Sequence, residues 1–422
     1  MSQSPTKQIL VVKCGGASVA TPQRMNLVAA AVVALSKRYC VVVVVSAMGD
    51  TTDKLIALGR KIHPGATKAE LEALAGPGED IAAKALTLAI RALGAAVVDL
   101  NTHQFRPLAH PDGRLKEIEG EALVRQRIEE GKIVVVPGYK GVTVDGDIVI
   151  LGRGASDLLA AALAGRLSIN VPECLYWKDV RGLSPVSPKY VPDAIVFDEL
   201  TYANARELVP DDDGVLMARC ITVAESHRVI LRVELAPSIK GRRGPGTRIG
   251  PASLVTDLEP APRPFAAIIP HRDCAVVEVS GIPNRKRWAH RVFSAVKSIV
   301  LGNVVQGPGR KTATIAFTVQ TGDLENALAL VRKALKRVRG ASVYGHSGFA
   351  GLTLTDRRMR DDKGYMERVT GALGKAGVNI ELISAPESAI HVTVASHHLK
   401  RAAMALATEF DMRKKRARPQ VW

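Results

Sequence analysis

The feature that most constrains the fold is the run Cys40–Val45, in which five valines follow one cysteine without a polar residue. A strand that is apolar on both faces is typical of a parallel sheet covered by helices on both sides. Similar apolar runs alternate with helical patterns along the first 170 residues. The predicted strands are residues 9–12, 40–45, 95–100, 132–136 and 148–151, and the predicted helices are residues 24–35, 79–93, 121–130 and 157–167. This alternation predicts an α/β domain of three αβα layers with a mostly parallel sheet.

The chain changes character between residues 236 and 264, where Gly and Pro are frequent and residues 260–264 form a stiff Pro-rich link. Beyond this link the order strand, helix, strand, helix occurs twice, over residues 274–336 and 351–410. A repeated element order of this kind predicts two small α+β units with a βαββαβ arrangement. We therefore predict domains at residues 1–255, 265–340 and 341–415.

Charge is distributed unevenly between these parts. The chain has 58 Lys+Arg and 41 Asp+Glu, a net charge of +17, yet residues 1–259 contribute only +2 of it and residues 260–422 contribute +15. Such an asymmetry can mark contact with nucleic acid or a membrane surface. No zinc-finger spacing or basic-zipper pattern accompanies it, so a solvated basic face is the favoured interpretation and a nucleic-acid partner is not expected.

Cysteine usage and hydropathy indicate the class of protein. The five cysteines are scattered without a Cys-x-x-Cys pair, which argues against a disulfide framework and a structural zinc site. The polar N-terminal residues do not look like a signal peptide, and no apolar run reaches the roughly 18 residues of a membrane span. We expect a soluble, cytoplasmic protein without a membrane segment or a metal-ligand cluster.

Two glycine-containing turns at predicted strand ends carry the first chemical signals. In Lys13-Cys14-Gly15-Gly16 the glycines allow the backbone to approach a phosphate group, and Lys13 adds a positive charge. A tight surface turn explains the glycines equally well. The turn Gly152-Arg153-Gly154 precedes Ser156 and Asp157, and Arg153 could form paired hydrogen bonds with a carboxylate. Ser156 or Asp157 could instead be a simple helix N-cap.

Two further segments carry polar residues that could bind a small substrate. Ser46-Ala47-Met48-Gly49-Asp50-Thr51-Thr52-Asp53 directly follows the valine strand, in the place where open α/β sheets bind ligands. Glu79 follows the turn Gly76-Pro77-Gly78 and could pair with a substrate ammonium group. Helix capping explains the hydroxyls of the first segment, and a favourable interaction with the helix dipole explains Glu79.

Together, these four motifs resemble the amino-acid kinase family, and within it the aspartate kinases. That family carries Lys-Phe-Gly-Gly-Thr-Ser, Ser-Ala-Met-Gly-Asp-Thr-Thr-Asp, Gly-Glu and Gly-Arg-Gly-Gly-Ser-Asp in this order, followed by two ACT domains. The resemblance covers almost the whole chain, and the second motif matches without a change. It implies an amino-acid kinase domain at residues 1–255 and two ferredoxin-like ACT domains at residues 265–340 and 341–415.

The resemblance implies ATP- and Mg²⁺-dependent phosphorylation of the side-chain carboxylate of aspartate or a related acidic amino acid. By motif match, Lys13 and Asp157 would be catalytic, and Thr52, Glu79, Arg114, Arg153 and Ser156 would bind the amino acid. Lys13, Gly15, Gly16, Lys178, Asp179, Ser184 and Lys189 would contact the nucleotide. Phosphoryl transfer depends mainly on positioning and charge neutralisation, and the nucleotide would hold most of the Mg²⁺ coordination. The ACT domains would mediate a homodimer or higher homo-oligomer and could bind an amino-acid effector.

The chain departs from the family pattern in the nucleotide half. The family's Tyr-Thr-Asp-Val-Asp-Gly appears as Trp177-Lys178-Asp179-Val180-Arg181-Gly182, and the Lys of Gly-Ala-Lys-Val-Leu is replaced by Gly214. Three acidic residues, Asp211–Asp213, precede it and would repel a polyphosphate. These departures keep an alternative open: a weak or inactive kinase-like protein that binds an amino acid as a regulatory partner.

Overall fold

The computed structural model describes residues 7–152, 154–168, 171–209, 215–237, 246–254, 266–309, 311–360 and 363–414. The predictions for Arg153, Asp211–Asp213, Gly214, the Pro-rich link and the C-terminal basic tail from residue 415 lie outside these residues. The chain forms two compact units: unit 1 comprises Met1–Leu183 and Val196–Pro260, and unit 2 comprises Ser184–Ile195 and Ala261–Trp422. Residues 184–195 therefore belong to unit 2, whereas the predicted boundaries place them in the first domain.

Unit 1 contains an eight-stranded sheet and a smaller four-stranded sheet. In chain order its strands are β1 Ile9–Cys14, β2 Cys40–Val45, β3 Val97–Asp99, β4 Pro107–Ala109, β5 Leu115–Ile118, β6 Ile133–Pro137, β7 Lys140–Val142, β8 Ile148–Ile150, β9 Glu173–Lys178, β10 Glu199–Thr201, β11 Ile230–Leu235 and β12 Thr247–Gly250. The large sheet has the order β10-β12-β11-β9-β1-β2-β6-β3, and all its pairs are parallel except β11–β12. The mostly parallel sheet predicted from the sequence is confirmed.

The helices of unit 1 cover both faces of the large sheet. They are α1 Pro22–Ser36, α2 Thr51–Ile62, α3 Lys68–Ala75, α4 Pro77–Ala92, α5 Thr102–Phe105, α6 Glu121–Glu129, α7 Ala155–Leu167, α8 Tyr202–Leu208 and α9 Ala218–Ser226. Along β1, Leu10 and Val12 pack in a core with α1 and α4. The intervening residues face the other side, where α7 packs against β1. This alternation directs Lys13 toward α7.

One predicted strand of unit 1 joins the smaller sheet. Residues 148–151 correspond to β8, which pairs antiparallel with β7 in the order β5-β4-β7-β8. Its three residues are half-buried or exposed, whereas β2 is almost completely buried. A short strand with exposed residues would gain little stability inside a parallel sheet, where strands are buried on both faces. In the smaller sheet, β8 positions the turn that leads into α7.

Unit 2 is built on a six-stranded antiparallel sheet. Its strands are β13 Ala267–Pro283, β14 Val304–Pro308, β15 Thr312–Gln320, β16 Ser342–Thr355, β17 Leu382–Ser384 and β18 Ala389–Ala395, and its helices are α10 Trp288–Ala295, α11 Leu324–Leu335, α12 Tyr365–Lys375 and α13 Leu399–Glu409. The order is β14-β15-β13-β16-β18-β17. The two predicted α+β repeats share this sheet, because β13 and β16 are long enough to run through both. The sequence pattern predicts a helix from Trp288 to Val300, and the observed α10 ends five residues earlier, at Ala295.

Two hydrophobic cores lie in unit 2, one for each repeat. The second includes Val186, Tyr190 and Val191 from the 184–195 segment, packed with residues of β16, β18, α12 and α13. Backbone contacts hold this segment at both ends: Ile268 N donates to Pro185 O at 2.7 Å, and Ile195 N donates to Met412 O at 3.0 Å. These contacts explain why the segment belongs to unit 2.

Candidate active site

The candidate site lies where four neighbouring parallel strands of unit 1 end. Strands β9, β1, β2 and β6 are consecutive in the sheet, so the residues at their carboxyl ends meet at one edge. Lys178 ends β9, Lys13 lies at the end of β1, Ser46 follows β2 and Gly138 follows β6. The N-terminus of α7 brings Asp157 to the same edge.

Two lysines share the carboxylate of Asp157. Lys13 Nζ lies 2.6 Å from Asp157 Oδ1, and Lys178 Nζ lies 3.0 Å from Oδ1 and 2.8 Å from Oδ2. The side chains of Lys13 and Asp157 are 6% and 5% exposed, and that of Lys178 is 13% exposed. Lys13 and Asp157 are the two residues predicted to be catalytic, and the register of β9 beside β1 adds the second lysine.

Burial and neighbouring charges shift the pKa values of the three residues of this cluster to different extents. Burial lowers the pKa of Lys178 to about 8. Repulsion from Lys13 acts in the same direction, whereas attraction to the Asp157 carboxylate acts in the opposite direction. Burial also disfavours charged Lys13 and charged Asp157, but their attraction outweighs it, so the pKa of Lys13 is raised and that of Asp157 is lowered. At neutral pH two ammonium groups therefore surround one carboxylate, which leaves one excess positive charge.

Glu79 is a buried carboxyl group in the first turn of α4. Its Oε2 accepts a hydrogen bond from Gly138 N at 2.6 Å. Burial raises the pKa of Glu79 to about 8, although this hydrogen bond and the charge of Lys13 act in the opposite direction. The group is therefore mostly protonated at pH 7, and an ammonium group placed beside it would favour its ionised form.

Hydroxyl groups connect the ends of β2 and α7. Ser46 Oγ and Ser156 Oγ are 2.8 Å apart, and Ser156 is buried. Gly138 packs directly on this pair, since a Cβ at position 138 would lie 2.3 Å from Ser156 Cβ. Only glycine permits this approach of β6 to α7.

The glycine turn after β1 lies against the two lysines. A Cβ at Gly15 would lie 3.8 Å from both Lys13 Nζ and Lys178 Cδ, and a Cβ at Gly16 would lie 2.6 Å from Ala47 O. The turn is held in place because Gly15 N donates to Trp177 O at 3.1 Å. The turn therefore lies beside the two ammonium groups, and its predicted contact with a phosphate group stays a prediction.

Other predicted substrate and nucleotide residues have different surroundings. Thr52 is half-buried in the first turn of α2. Arg114 is 76% exposed and paired with Asp112 at 2.8 Å, so the structure does not bring it into the buried cluster. Asp179 is exposed immediately after Lys178. Arg153 lies outside the described residues, and its predicted contact with a carboxylate stays a prediction.

Two predicted nucleotide residues belong to unit 2. Ser184 and Lys189 are part of the 184–195 segment, whereas the lysine cluster belongs to unit 1. Ser184 Oγ is buried and has no hydrogen-bond partner among the described residues, and Lys189 is exposed. Neither residue belongs to the Lys13–Asp157–Lys178 cluster, so their contacts with the nucleotide stay predictions.

Two residues of the site were not singled out from the sequence. Gly138 follows the buried strand β6, a position that could have marked it, just as it marked the segment that begins with Ser46 after β2. Arg219 of α9 donates from Nη1 to Leu151 O at 3.3 Å, beside the Gly152–Gly154 turn. No local pattern marks Arg219, because its position depends on the packing of α9 against α7.

Comparison with family models agrees with both units. A model of the amino acid kinase family matches residues 8–233, and a model of the ACT domain matches residues 352–410. Among the helices of the described residues, none is both long and apolar enough to cross a membrane.

Known proteins match over nearly the full length. The aspartokinase of Pseudomonas aeruginosa is 30% identical over 412 residues, which cover 96% of this chain and 98% of that protein. The structure of aspartate kinase from Synechocystis is 27% identical with a TM-score of 0.51, covering 98% of this chain and 71% of that chain. E. coli aspartokinase III in complex with aspartate and ADP has a TM-score of 0.68 at 20% identity, covering 96% and 100%, and shares the fold.

Proposed function

Because this chain belongs to the amino acid kinase family, and within it to the aspartokinases, we propose that it phosphorylates the side-chain carboxylate of L-aspartate. ATP would supply the phosphoryl group, and the products would be an acyl phosphate and ADP. The relatives are named aspartokinases, and the structure of E. coli aspartokinase III, which shares the fold, is a complex with aspartate and ADP.

One observation carries this proposal: the buried Lys13–Asp157–Lys178 cluster has an excess positive charge. Burying an uncompensated charge is costly, by several kcal/mol in proteins. An anionic group bound beside the two lysines would remove this cost. The γ-phosphate of ATP is such a group, and the glycines after β1 leave room for it.

The residues of the cluster suit phosphoryl transfer to a carboxylate. An oxygen of the ionised substrate carboxylate attacks the γ-phosphorus, and the bond from this phosphorus to the β–γ bridging oxygen breaks with its electron pair leaving on ADP. The attacking group has no proton to lose, so no general base is needed. Lys13 and Lys178 donate to the phosphoryl oxygens as charge develops, and Asp157 holds both ammonium groups in position.

The amino acid would bind on the side formed by α2, α4 and α7. Glu79 would accept the substrate ammonium group, and the Ser156 hydroxyl would contact the carboxylate. Thr52, Arg114 and Arg153 are further proposed contacts, of which Arg114 would have to leave Asp112. This arrangement would place the substrate side chain toward Lys13.

We assign the nucleotide to the side formed by β1 and β9. Lys13, Gly15, Gly16, Lys178 and Asp179 would contact it, and Ser184 and Lys189 stay proposed contacts from the following segment. Mg²⁺ would neutralise phosphate charge and would be held chiefly by the phosphates. The two buried carboxyls support this, because Asp157 is already paired with two lysines and Glu79 is mostly protonated.

The alternative, a weak or inactive regulatory partner, is not favoured. Lys13, Glu79, Ser156 and Asp157 converge at one edge of the sheet, and Lys178 adds a positive charge that the family motif lacks. This lysine can compensate for the lysine that Gly214 replaces. A protein without phosphoryl-transfer activity has no physical need for such a buried charged cluster.

For unit 2 we propose a regulatory role with ACT domains at residues 265–340 and 341–415, acting in a homodimer or higher homo-oligomer in the cytoplasm. A cavity of about 730 Å³ lined by Met359, Arg360, Tyr365 and Glu387 is large enough for an amino-acid effector. The Arg360 and Glu387 side chains, 2.9 Å apart, offer charges complementary to a free amino acid.

The direct test is trapping of the acyl phosphate with hydroxylamine. Purified protein with ATP, Mg²⁺ and L-aspartate should form aspartyl hydroxamate, and Lys13→Ala and Asp157→Asn should reduce its rate by a factor of about 100 or more. Lys84→Ala, an exposed lysine paired with Asp99, is the matched control and should keep full activity.

The acceptor is tested in the same assay with other acidic amino acids. If hydroxamate formed from glutamate but not from aspartate, the protein would still be a kinase, but its substrate would be glutamate. Absence of hydroxamate from every acidic amino acid, together with no heat of ATP binding in calorimetry, would disprove the proposed activity.

A further inference from the structure

Tyr176 is a fully buried side chain of β9 that lies beside the lysine cluster. In the register of the sheet it is paired with Lys13 of β1, and it precedes Lys178 by two residues. Side chains two residues apart on a strand point to the same face, so Tyr176 and Lys178 both face α7. Tyr176 therefore lies on the face of the sheet that carries both lysines of the cluster.

The Tyr176 hydroxyl contacts the third member of the cluster, Asp157, through its main chain. Tyr176 Oη donates a hydrogen bond to Asp157 O at 2.9 Å. Asp157 lies in the first turn of α7, where its N donates to Gly154 O at 3.1 Å. A carbonyl oxygen has two lone pairs, so Asp157 O can accept this bond in addition to the one within the helix. The hydroxyl thus connects β9 to the residue whose carboxylate holds both lysines.

A second donor, the thiol of Cys220 in α9, faces the same carbonyl oxygen. Cys220 Sγ lies 3.4 Å from Asp157 O and 3.4 Å from Tyr176 Oη. Burial raises the pKa of Cys220 to about 12 and that of Tyr176 well above its usual value, so both groups stay protonated at neutral pH. A thiol is a weak donor, and its contact is the longer one. Of these two groups, the hydroxyl therefore holds Asp157 O more strongly.

Filling of the core does not require this hydroxyl, because a phenylalanine ring would occupy the same space. A second buried tyrosine of unit 1 makes a comparable bond without contacting the cluster: Tyr202 Oη donates to Val229 O at 2.7 Å. Val229 immediately precedes β11, whose first residue is paired with Glu173 at the start of β9, whereas the cluster lies at the other end of β9. Tyr176 differs from Tyr202 in its acceptor, the main chain of Asp157.

We propose that Tyr176 is a positioning residue for phosphoryl transfer: its hydroxyl fixes Asp157, and through Asp157 it directs the ammonium groups of Lys13 and Lys178 toward the transferring phosphoryl group. This inference rests on the proposed kinase function. The rate of transfer depends on these directions, because donors displaced by about 1 Å lose much of their effect on the transition state. The ring adds a contact of its own, since Lys178 Nζ lies 6.0 Å from its centroid.

These contacts predict an effect on kcat rather than on KM. Tyr176 is 0% exposed, so it cannot touch a substrate and must act through its neighbours. A small displacement of Asp157 leaves both positive charges near a bound phosphate group, and binding in the ground state is largely kept. The same displacement misdirects the ammonium groups as charge develops on the phosphoryl oxygens, which raises the barrier to transfer.

The test variant is Tyr176→Phe, which keeps the ring and removes the hydroxyl. In the hydroxamate assay its kcat should fall by a factor of about 10, and the KM values for ATP and aspartate should stay within about twofold of those of the unmodified protein. The matched control Tyr202→Phe removes the same kind of hydrogen bond from unit 1 and should keep kcat within about twofold. Thermal melting of both variants verifies that each is folded.

A second readout follows the position of Asp157 and needs no substrate. The rate at which acetic anhydride acetylates Lys178, measured by mass spectrometry over a range of pH in the protein without nucleotide, gives the pKa of this lysine. Attraction to Asp157 raises this pKa, whereas burial and Lys13 lower it. A displaced carboxylate should therefore move the midpoint of the reaction to lower pH in Tyr176→Phe. The midpoint should not change in Tyr202→Phe.

The variant Cys220→Ala separates the two donors that face Asp157 O. It removes the weaker donor and keeps the hydroxyl, so kcat should stay within about threefold of the unmodified protein. A loss as large as that of Tyr176→Phe would overturn the proposal, because the packing of α9 against α7 would then position Asp157.

The failure of this inference is distinct from the failure of the proposed function. An active enzyme whose Tyr176→Phe variant kept kcat within twofold, or kept the Lys178 midpoint unchanged, would overturn the role of Tyr176 and leave the kinase intact. Equal losses in Tyr176→Phe and Tyr202→Phe would also overturn it, since a general loosening of unit 1 would explain both. Absence of hydroxamate with the unmodified protein would instead disprove the kinase function and, with it, the role of Tyr176 in the reaction.

Discussion

Lys178 is the residue that most distinguishes this site, because the aspartate kinase motif has threonine there. We expect Lys178→Thr to increase the KM for ATP at least about tenfold and to lower kcat by a factor of about 100, since the cluster then loses its excess charge. The KM for aspartate should change little. Kinetics by hydroxamate trapping measure both constants, with Lys84→Ala as the control. If only the KM for aspartate changed, Lys178 would act on the amino-acid side of the site, and its assignment to the nucleotide would be wrong.

Because of Glu79 and Lys178, the KM for aspartate and the KM for ATP should change with pH in opposite directions. The pKa of Glu79 is raised to about 8, so its carboxyl is neutral below that pH and ionised above it. The KM for aspartate should therefore fall as pH rises from 6.5 to 8.5. The pKa of Lys178 is lowered to about 8, so the KM for ATP should rise over the upper part of that range.

The variant Glu79→Gln provides the control for this pH dependence. It should have a high KM for aspartate that no longer falls with pH, because the amide does not ionise. The KM for ATP should keep its dependence on pH. An unmodified enzyme whose KM for aspartate is independent of pH would contradict the assignment of Glu79.

Sequence reasoning identified Lys13 and Asp157 but did not place Lys178 beside Asp157. Lys13 and Asp157 lie in recognisable motifs at a strand end and a helix start. The contact of Lys178 with Asp157 requires β9 to be the neighbour of β1, and residues 173–178 follow β1 by some 160 positions. Strand order is determined by packing over the whole sheet, so this contact could not be predicted from a local pattern.

At the scale of elements, the site depends on the close approach of β6 to α7. We expect Gly138→Ala to destabilise unit 1 by about 1–3 kcal/mol, because its Cβ would overlap Ser156 and force α7 outward. Activity should fall as well, since Gly138 N holds Glu79. Thermal melting and the hydroxamate assay measure the two effects.

Gly374→Ala is the matched control for this substitution. Gly374 lies in α12, and the described structure places no atom within 4 Å of a Cβ there apart from its own helix backbone and chain neighbours. Alanine should stabilise this helix by roughly 0.5–1 kcal/mol, because it loses less backbone entropy than glycine. Equal effects of both substitutions would show that steric overlap with Ser156 is not the cause.

Element types were predicted better than element partners. Periodicity located α1, α4, α6 and α7 to within a few residues, because each buries one face or more in the core. The same reasoning did not show that β8 joins a separate sheet or that β13 and β16 run through both repeats. Those outcomes depend on pairing between distant strands, which periodicity does not encode.

At the scale of the whole molecule, the chain passes between the two units three times, after Leu183, Ile195 and Pro260. We expect Val191→Asp to lower the melting temperature of unit 2, since Val191 is fully buried in its core. A loss of about 2 kcal/mol corresponds to roughly 4–8 °C.

Calorimetry with and without ATP assigns the two transitions, because ATP should raise chiefly the melting temperature of unit 1, which holds the lysine cluster. The control Val229→Asp places the same charge in the core of unit 1 and should lower the transition that ATP raises. If Val191→Asp lowered that transition instead, residues 184–195 would be part of unit 1.

The position of residues 184–195 also has a consequence for synthesis of the protein. Asp193 pairs with Arg413, Nε to Oδ1 at 3.0 Å, across 220 residues of chain. The segment leaves the ribosome long before β16, β18 and α13, against which it packs, have been made. Its apolar residues Val186, Val191 and Ala194 must therefore wait, without their final partners, until α13 has been made. Unit 2 consequently finishes folding only after α13 has been synthesised, whereas most of unit 1 can form earlier.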